Sequence, residues 1–218
     1  DIRHELVREA MTHLGVDGGV DITTIADIPS RGTGLGSSSS FTVGLLNALS
    51  GFRHRYVSSE ELGRQSCHIE IDLCGEPIGK QDQYAAAFGG FNLIEFNRDD
   101  SVTVSPVICR PETLAAIQTS ILVFYTGITR SASAILSEQS RNVATDDEKR
   151  EAMHRMVSLA YLLREEIQKN DLDSFGEILH ENWMLKKTLS GGVSSGEIDG
   201  WYERARRAGA KGGKLLGA

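Results

Sequence analysis

Apolar residues recur three and four positions apart over the first part of the chain and then alternate with polar residues. The first pattern predicts a helix over residues 2–14 that ends at Gly15. The second covers GVDITTIADI, residues 19–28, where β-branched residues are frequent, and it predicts a strand leading into Pro29. The chain therefore begins with a helix followed by a strand.

The same patterns assign elements to the rest of the chain. Further helices are predicted from Ser37 onwards and over 58–74, 79–90, 131–141, 146–169, 171–189 and 196–208. Ser58 or Ser59 caps the second of these. Strands are predicted over 91–96 and 101–107, paired around a turn, and over 120–127.

The order of these elements indicates an α+β protein, because hairpin strands precede a block of helices and regular βαβ alternation is missing. No internal repeat or low-complexity linker interrupts the sequence. We place a soft boundary near Gly127, which divides the chain into an N-terminal domain over 1–127 and a C-terminal domain over 128–218.

Composition narrows the functional classes. The 218 residues are 40% hydrophobic and 24% charged, as in ordinary globular proteins, and the net charge is −7. That charge argues against a broad nucleic-acid surface. No apolar run long enough to span a membrane and no signal-peptide pattern are present, so we expect a cytoplasmic protein without membrane contacts. Three cysteines without C-x-x-C spacing fit small buried side chains in a reducing compartment.

A glycine-rich stretch, RGTGLGSSSS, stands directly before a predicted amphipathic helix. Glycines at positions 32, 34 and 36 permit close approach of a ligand to the backbone, and the first turn of the helix offers N–H groups and the positive end of its dipole. The pattern indicates a phosphate site. It matches neither the Walker sequence nor the dinucleotide fingerprint, because serine occupies position 37. A purely structural turn is the alternative.

PSRGTGLGSSSS resembles the second motif of the GHMP kinases, in which a proline is followed by Gly-Leu-Gly-Ser-Ser. GEPIGKQDQYAAAFGG resembles the segment that holds the catalytic aspartate in the sugar kinases of that superfamily, and AGAKGGKLLGA resembles the start of the third motif. The resemblance implies a two-domain α+β fold, with a ribosomal protein S5 domain 2-like N-terminal domain and a ferredoxin-like C-terminal domain. The first and last strands of that fold have no counterpart in this sequence.

The resemblance also implies cofactors and ligands. ATP phosphates would be bound by the glycine motif, that is, by Gly32, Gly34, Leu35, Gly36, Ser37, Ser38 and Ser39. Mg²⁺ would be held by Ser38, with Ser37 as the alternative hydroxyl, and by Glu70. Asp72 is a rival to Glu70, and a solvated surface carboxylate is the alternative interpretation of Glu70.

Asp82 is the catalytic base that the resemblance implies, and it would accept the proton of a sugar hydroxyl. A helix-capping aspartate is the alternative. Lys80 and Arg130 are candidate catalytic cations that would lower the pKa of Asp82, offset charge on the transferred phosphoryl group or bind a substrate phosphate. Surface ion pairs are the alternative for both cations.

Within the superfamily, GKQDQYAAAFGG and YTGITRSA are most similar to the kinases of D-glycero-D-manno-heptose 7-phosphate. We therefore expect an ATP- and Mg²⁺-dependent kinase acting on the anomeric hydroxyl of that sugar phosphate. A kinase of fucose or galactose and a non-catalytic sensor of the same fold are the rivals. A dinucleotide-dependent oxidoreductase is less favoured, because the glycine spacing fails.

Overall fold

The computed structural model describes residues 2–27, 34–128 and 132–217, and of Ala132 and Ser133 the backbone only. The N-terminal helices are α1 (Glu5–Leu14), α2 (Ser37–Phe52), α3 (Ser59–Cys67), a π-helical turn (His68–Leu73) and α4 (Gln81–Phe88). A two-stranded hairpin follows, with β1 (Asn92–Phe96) and β2 (Val102–Pro106). The remaining helices are α5 (Pro111–Ser120), α6 (Ala132–Thr145), α7 (Asp147–Gln168), α8 (Phe175–Leu189) and α9 (Gly196–Arg207).

Local signals fix the ends of the first helices. Gly15 adopts the left-handed conformation, with φ of 63°, and its N–H bonds back to Thr12. The Ser58 hydroxyl accepts a hydrogen bond from the Glu61 N–H at 3.2 Å and so caps α3. Both ends agree with the sequence-based predictions.

The chain forms two compact units that divide after Val104. In the first unit, α1, α2, α3 and the π-helical turn enclose a core that includes Ala10, Met11, Leu46, Leu49 and Ile69. Helix α4 packs on α2 and α3 and connects to the hairpin. The first unit therefore brings the serine-rich start of α2 close to the segment around Asp82.

The second unit is built mainly from the pairing of α7 with α8 and from a core around Trp183. Ile135, Val193 and Ile198 complete that core. The Asn170 side chain ties the start of α5 to the end of α7. Its Oδ1 accepts hydrogen bonds from the Arg110 N–H and from the Thr113 hydroxyl, each at 2.8 Å. Helix α5 was not predicted from the sequence.

Two predicted strands were wrong within the described residues. Residues 19–27 and 121–128 carry no regular secondary structure, and Ile28, the last residue of the first predicted strand, lies outside the described residues. Neither segment pairs with a strand in the part of the chain that the structure describes, and a strand needs a neighbour for its backbone N–H and C=O groups. Ile25 is 93% exposed and Leu122 78% exposed.

The predicted hairpin and the other helices are confirmed. The turn between β1 and β2 is closed by bonds between Asn97 and its neighbours, including one from the Asp100 N–H at 3.2 Å. Among the helices that the structure describes, none has the length and apolar character needed to cross a membrane.

Leu46 provides a test of the first core. Its side chain is fully buried in α2, and Leu46→Ala should lower the free energy of unfolding by about 2–5 kcal/mol through lost burial and the cavity left behind. Asn47→Ala, at an exposed position of the same helix, should change it by less than about 0.5 kcal/mol. Urea denaturation followed by circular dichroism measures both, and equal losses would contradict this packing.

Candidate active site

The described part of the glycine loop leads directly into α2. Gly34 and Gly36 each have φ of 67°, in the left-handed region that favours glycine. Among the described residues no side chain caps the N-terminus of α2, and its first turn holds no acidic residue. This helix start therefore presents its dipole and backbone donors without a competing anion from the helix itself, which suits a phosphate.

A buried carboxylate lies beside this helix start. Glu70, in the π-helical turn, is 1% exposed. Its Oε1 accepts hydrogen bonds from the hydroxyls of Ser38 at 2.9 Å and Thr42 at 2.8 Å. Its Oε2 accepts from the Ser39 hydroxyl at 2.8 Å and from the side-chain amide of Gln83. Four donors thus stabilise one buried negative charge.

Asp82 lies against the glycine loop. A methyl group added at Gly36 would stand 3.3 Å from both Cβ and Cγ of Asp82 and 3.4 Å from its Oδ2. Asp82 itself is exposed in the first turn of α4. The end of the glycine loop, an exposed carboxylate and a buried carboxylate therefore meet in the first unit.

Of the two candidate cations, Lys80 lies within the described residues and Arg130 does not. Lys80 forms an ion pair with Asp100 in the hairpin turn, with Nζ and Oδ1 3.1 Å apart, and this bond raises the pKa of Lys80. No contact between Lys80 and Asp82 appears in the described structure, so the catalytic role of Lys80 stays a prediction. Arg130 and Gly32 lie outside the described residues, and their roles also stay predictions.

The candidate metal ligands provide oxygen donors, which a hard cation prefers. Ser38 and Glu70 supply a hydroxyl and a carboxylate oxygen that already lie within hydrogen-bonding distance of each other. Asp72, the rival of Glu70, instead faces outwards and pairs with His68 Nδ1 at 2.8 Å. Within the described ranges no three His, Cys, Asp or Glu residues form a metal-binding cluster. This set fits Mg²⁺ that is held mainly by a nucleotide's phosphates.

Two family models match the sequence over these elements. The model for the GHMP kinases N terminal domain matches residues 4–90, and the model for the GHMP kinases C terminal domain matches residues 163–218. The first match contains the glycine loop, Glu70 and Asp82. The chain belongs to the GHMP kinases.

Known GHMP kinases resemble this chain over most of its length. A D-glycero-alpha-D-manno-heptose 7-phosphate kinase from Campylobacter jejuni is 34% identical over 89% of this chain and 57% of its own. A crystal structure of a D-glycero-D-manno-heptose 1-phosphate kinase from Bacteroides thetaiotaomicron superposes with a TM-score of 0.75 at 29% identity, covering 100% of this chain and 63% of that one. The predicted GHMP kinase fold class is confirmed.

More distant members include a Pyrococcus furiosus galactokinase, 28% identical over 92% of this chain and 62% of its own. The structure of Lactococcus lactis galactokinase shares the fold with a TM-score of 0.63 at 21% identity, covering 99% of this chain and 65% of that one. The chain spans about three fifths of the length of these relatives.

Sequence reasoning missed two members of the site in this GHMP kinase. Thr42 and Gln83 are fully buried and both contact Glu70. Thr42 lies four residues after Ser38 and so shares its helix face, a spacing that could have revealed it. Gln83 stands beside Asp82 in the quoted motif, but no local pattern indicates that its side chain reaches a residue thirteen positions earlier.

Gly36→Ala should destabilise this GHMP kinase, because alanine is disfavoured at φ of 67° and its methyl group would crowd Asp82. We expect a loss of about 1–2 kcal/mol in the free energy of unfolding. Gly44→Ala is the matched control, since an added methyl group there meets no atom within 4 Å and Gly44 lies inside α2. It should stabilise the protein by up to about 1 kcal/mol. Urea denaturation distinguishes the two, and a neutral Gly36→Ala would refute the close approach.

Proposed function

We propose that this chain carries the catalytic machinery of an ATP- and Mg²⁺-dependent sugar kinase. Its acceptor is the anomeric hydroxyl of D-glycero-D-manno-heptose 7-phosphate, and its product is the 1,7-bisphosphate. One observation carries the proposal: Asp82 lies against Gly36, at the end of the glycine loop, while Ser38 of the adjoining helix bonds to buried Glu70. Phosphoryl transfer needs phosphate binding, a metal site and a base within reach of one another.

The glycine loop and α2 would bind the ATP phosphates. The left-handed glycines open the backbone to close approach, and the uncapped start of α2 attracts negative charge. Gly34, Leu35 and Gly36 lead into Ser37, Ser38 and Ser39 at this point. These groups act by position and electrostatics, which supply most of the catalysis in phosphoryl transfer.

Ser38 and Glu70 would hold Mg²⁺. Bound there with ATP, the ion would offset the negative charge of the phosphate groups. The protein's part is to present hard oxygen atoms in a fixed arrangement, and the donors around Glu70 supply that rigidity.

Asp82 would act as general base. Its exposed carboxylate accepts the proton of the sugar hydroxyl as the hydroxyl oxygen forms a bond to the γ-phosphorus and the bond to the bridging oxygen of ADP breaks. Lys80 and Arg130 are the proposed cations for the transferred phosphoryl group or for the acceptor's phosphate. For Lys80 this role requires it to leave Asp100, its partner in this structure.

The heptose assignment is supported by the Campylobacter jejuni relative, which is named a heptose 7-phosphate kinase. A second candidate, a kinase of fucose or galactose, is favoured by a bifunctional fucokinase of Arabidopsis thaliana, 28% identical over 92% of this chain and 19% of its own, and by the Pyrococcus galactokinase. A non-catalytic sensor is disfavoured, because it would not need Asp82 and Glu70 beside the same loop.

The proposal names ATP and a sugar phosphate as the partners, and the net charge of −7 does not favour nucleic acid. It also places the enzyme in the cytoplasm, which supplies ATP and keeps thiols reduced. Cys67, Cys74 and Cys109 are free in the structure, and burial raises the pKa of Cys67 and of Cys74 to about 11. Those two thiols therefore stay protonated at neutral pH.

Asp82→Asn tests the base. It should lower kcat by about 10²–10⁴-fold because the amide cannot take the hydroxyl proton, while ATP binding stays nearly unchanged. Asp72→Asn removes an exposed carboxylate of the π-helical turn and should leave kcat within about twofold of the wild type. ADP release by the full-length protein and isothermal titration with ATP measure these effects, and an active Asp82→Asn would remove Asp82 from the role.

The acceptor is tested by measuring ADP release with ATP and Mg²⁺ against heptose 7-phosphate, mannose, fucose and galactose. We expect turnover confined to the phosphorylated heptose. Turnover on a neutral sugar would retain the kinase mechanism and overturn the heptose assignment. If ATP binds but no sugar in the panel gives ADP release, the result would favour a non-catalytic sensor.

A further inference from the structure

Gln83 is the buried neighbour of Asp82 in α4. Its side chain has no exposure to solvent, and its Nε2 donates a hydrogen bond to Oε2 of Glu70. Its Oε1 has no hydrogen-bond partner among the described residues. A glutamine in this position is costly if it only fills space, because an apolar side chain of similar size would leave no buried oxygen unpaired. The hydrogen bond to Glu70 therefore calls for a role beyond packing.

The donors around Glu70 divide into a buried group and one exposed member. Ser39, Thr42 and Gln83 are buried, whereas Ser38 is exposed at the start of α2. The single hydroxyl proton of Thr42 has two acceptors within reach. Its Oγ1 lies 2.8 Å from Glu70 Oε1 and 3.0 Å from the Ser38 carbonyl oxygen. The buried donors hold the carboxylate from inside, so the Ser38 hydroxyl is the member of the cluster that a ligand can reach.

We propose that Gln83 is a positioning residue that orients the Glu70 carboxylate and so presents the pair of Ser38 and Glu70 to a nucleotide-bound Mg²⁺. The inference rests on the proposed function and identifies what holds its metal site in place. Because Gln83 follows Asp82 directly in α4, one helix fixes both the base and the orientation of the metal-binding carboxylate. Residues that orient a metal ligand commonly affect metal affinity about 10–100-fold when they are changed.

The test is the variant Gln83→Met, which keeps the length of the side chain and removes the donor. Binding of Mn²⁺ to the full-length protein, with a non-hydrolysable ATP analogue present, is measured from the electron paramagnetic resonance signal of the free ion. We expect about 10–100-fold weaker Mn²⁺ binding. We also expect a matching rise in the Mg²⁺ concentration that gives half-maximal rate, with kcat at saturating Mg²⁺ changed much less.

The chain contains a closely matched control. Gln65 also donates from Nε2 to a glutamate, Glu61 Oε1 at 2.6 Å, and its own Oε1 is likewise unpaired among the described residues. Gln65→Met should leave Mn²⁺ binding unchanged, because its partner Glu61 pairs with Arg64 and is not one of the proposed metal ligands. Equal weakening by Gln65→Met and Gln83→Met would overturn the inference, since any loss of a glutamine bond would then suffice.

A second variant, Thr42→Val, covers the case in which Gln83→Met does not fold. It removes a hydroxyl donor from the other oxygen of Glu70 with little change in shape, and it should also weaken Mn²⁺ binding. Wild-type affinity in Gln83→Met, or in Thr42→Val if Gln83→Met does not fold, would overturn the inference and leave the proposed function standing. A wild-type protein that binds no Mn²⁺ with the analogue would contradict the proposed function, and the inference would fall with it.

Discussion

The burial of one carboxylate constrains the whole N-terminal unit. An ionised group that loses its water must receive hydrogen bonds from the protein, and Glu70 receives them from two neighbouring helices. Ser39 and Thr42 come from α2, and Gln83 comes from α4. The orientation of these helices about the π-helical turn is therefore set by a polar cluster as well as by the apolar core around Leu46 and Ile69.

The π-helical turn places two acidic residues that are close in sequence, Glu70 and Asp72, in different environments. Glu70 is 1% exposed, whereas the Asp72 side chain is 63% exposed and bonds to His68. The bond from the Cys74 N–H to the Ile69 carbonyl, five residues apart, marks the wider turn. Such turns are frequent at functional sites. Here the turn carries the buried carboxylate, and the exposed one remains a surface ion pair.

Sequence analysis succeeded where the determining interactions are local. Gly15 and Ser58 end or begin their helices through bonds to residues within four positions, and both boundaries were predicted. The two failed strands, around Ile25 and Leu122, depend on a neighbouring strand, which alternation within one segment does not specify. The contact between Gln83 and Glu70 is likewise non-local, so the motif gave the position of Gln83 without its role.

Gly36 connects the glycine loop with the proposed base, because both depend on the absence of a side chain at this position. The residue needs a left-handed φ to lead the chain into α2, and its missing side chain leaves room for the carboxylate of Asp82. A larger residue would disturb both features together, because its added Cβ would strain the left-handed backbone and would also contact Asp82. Phosphate binding and proton transfer would thus be coupled by sterics within one unit. Relatives named for heptose, fucose and galactose all match this chain, because one fold can carry sites for different acceptors.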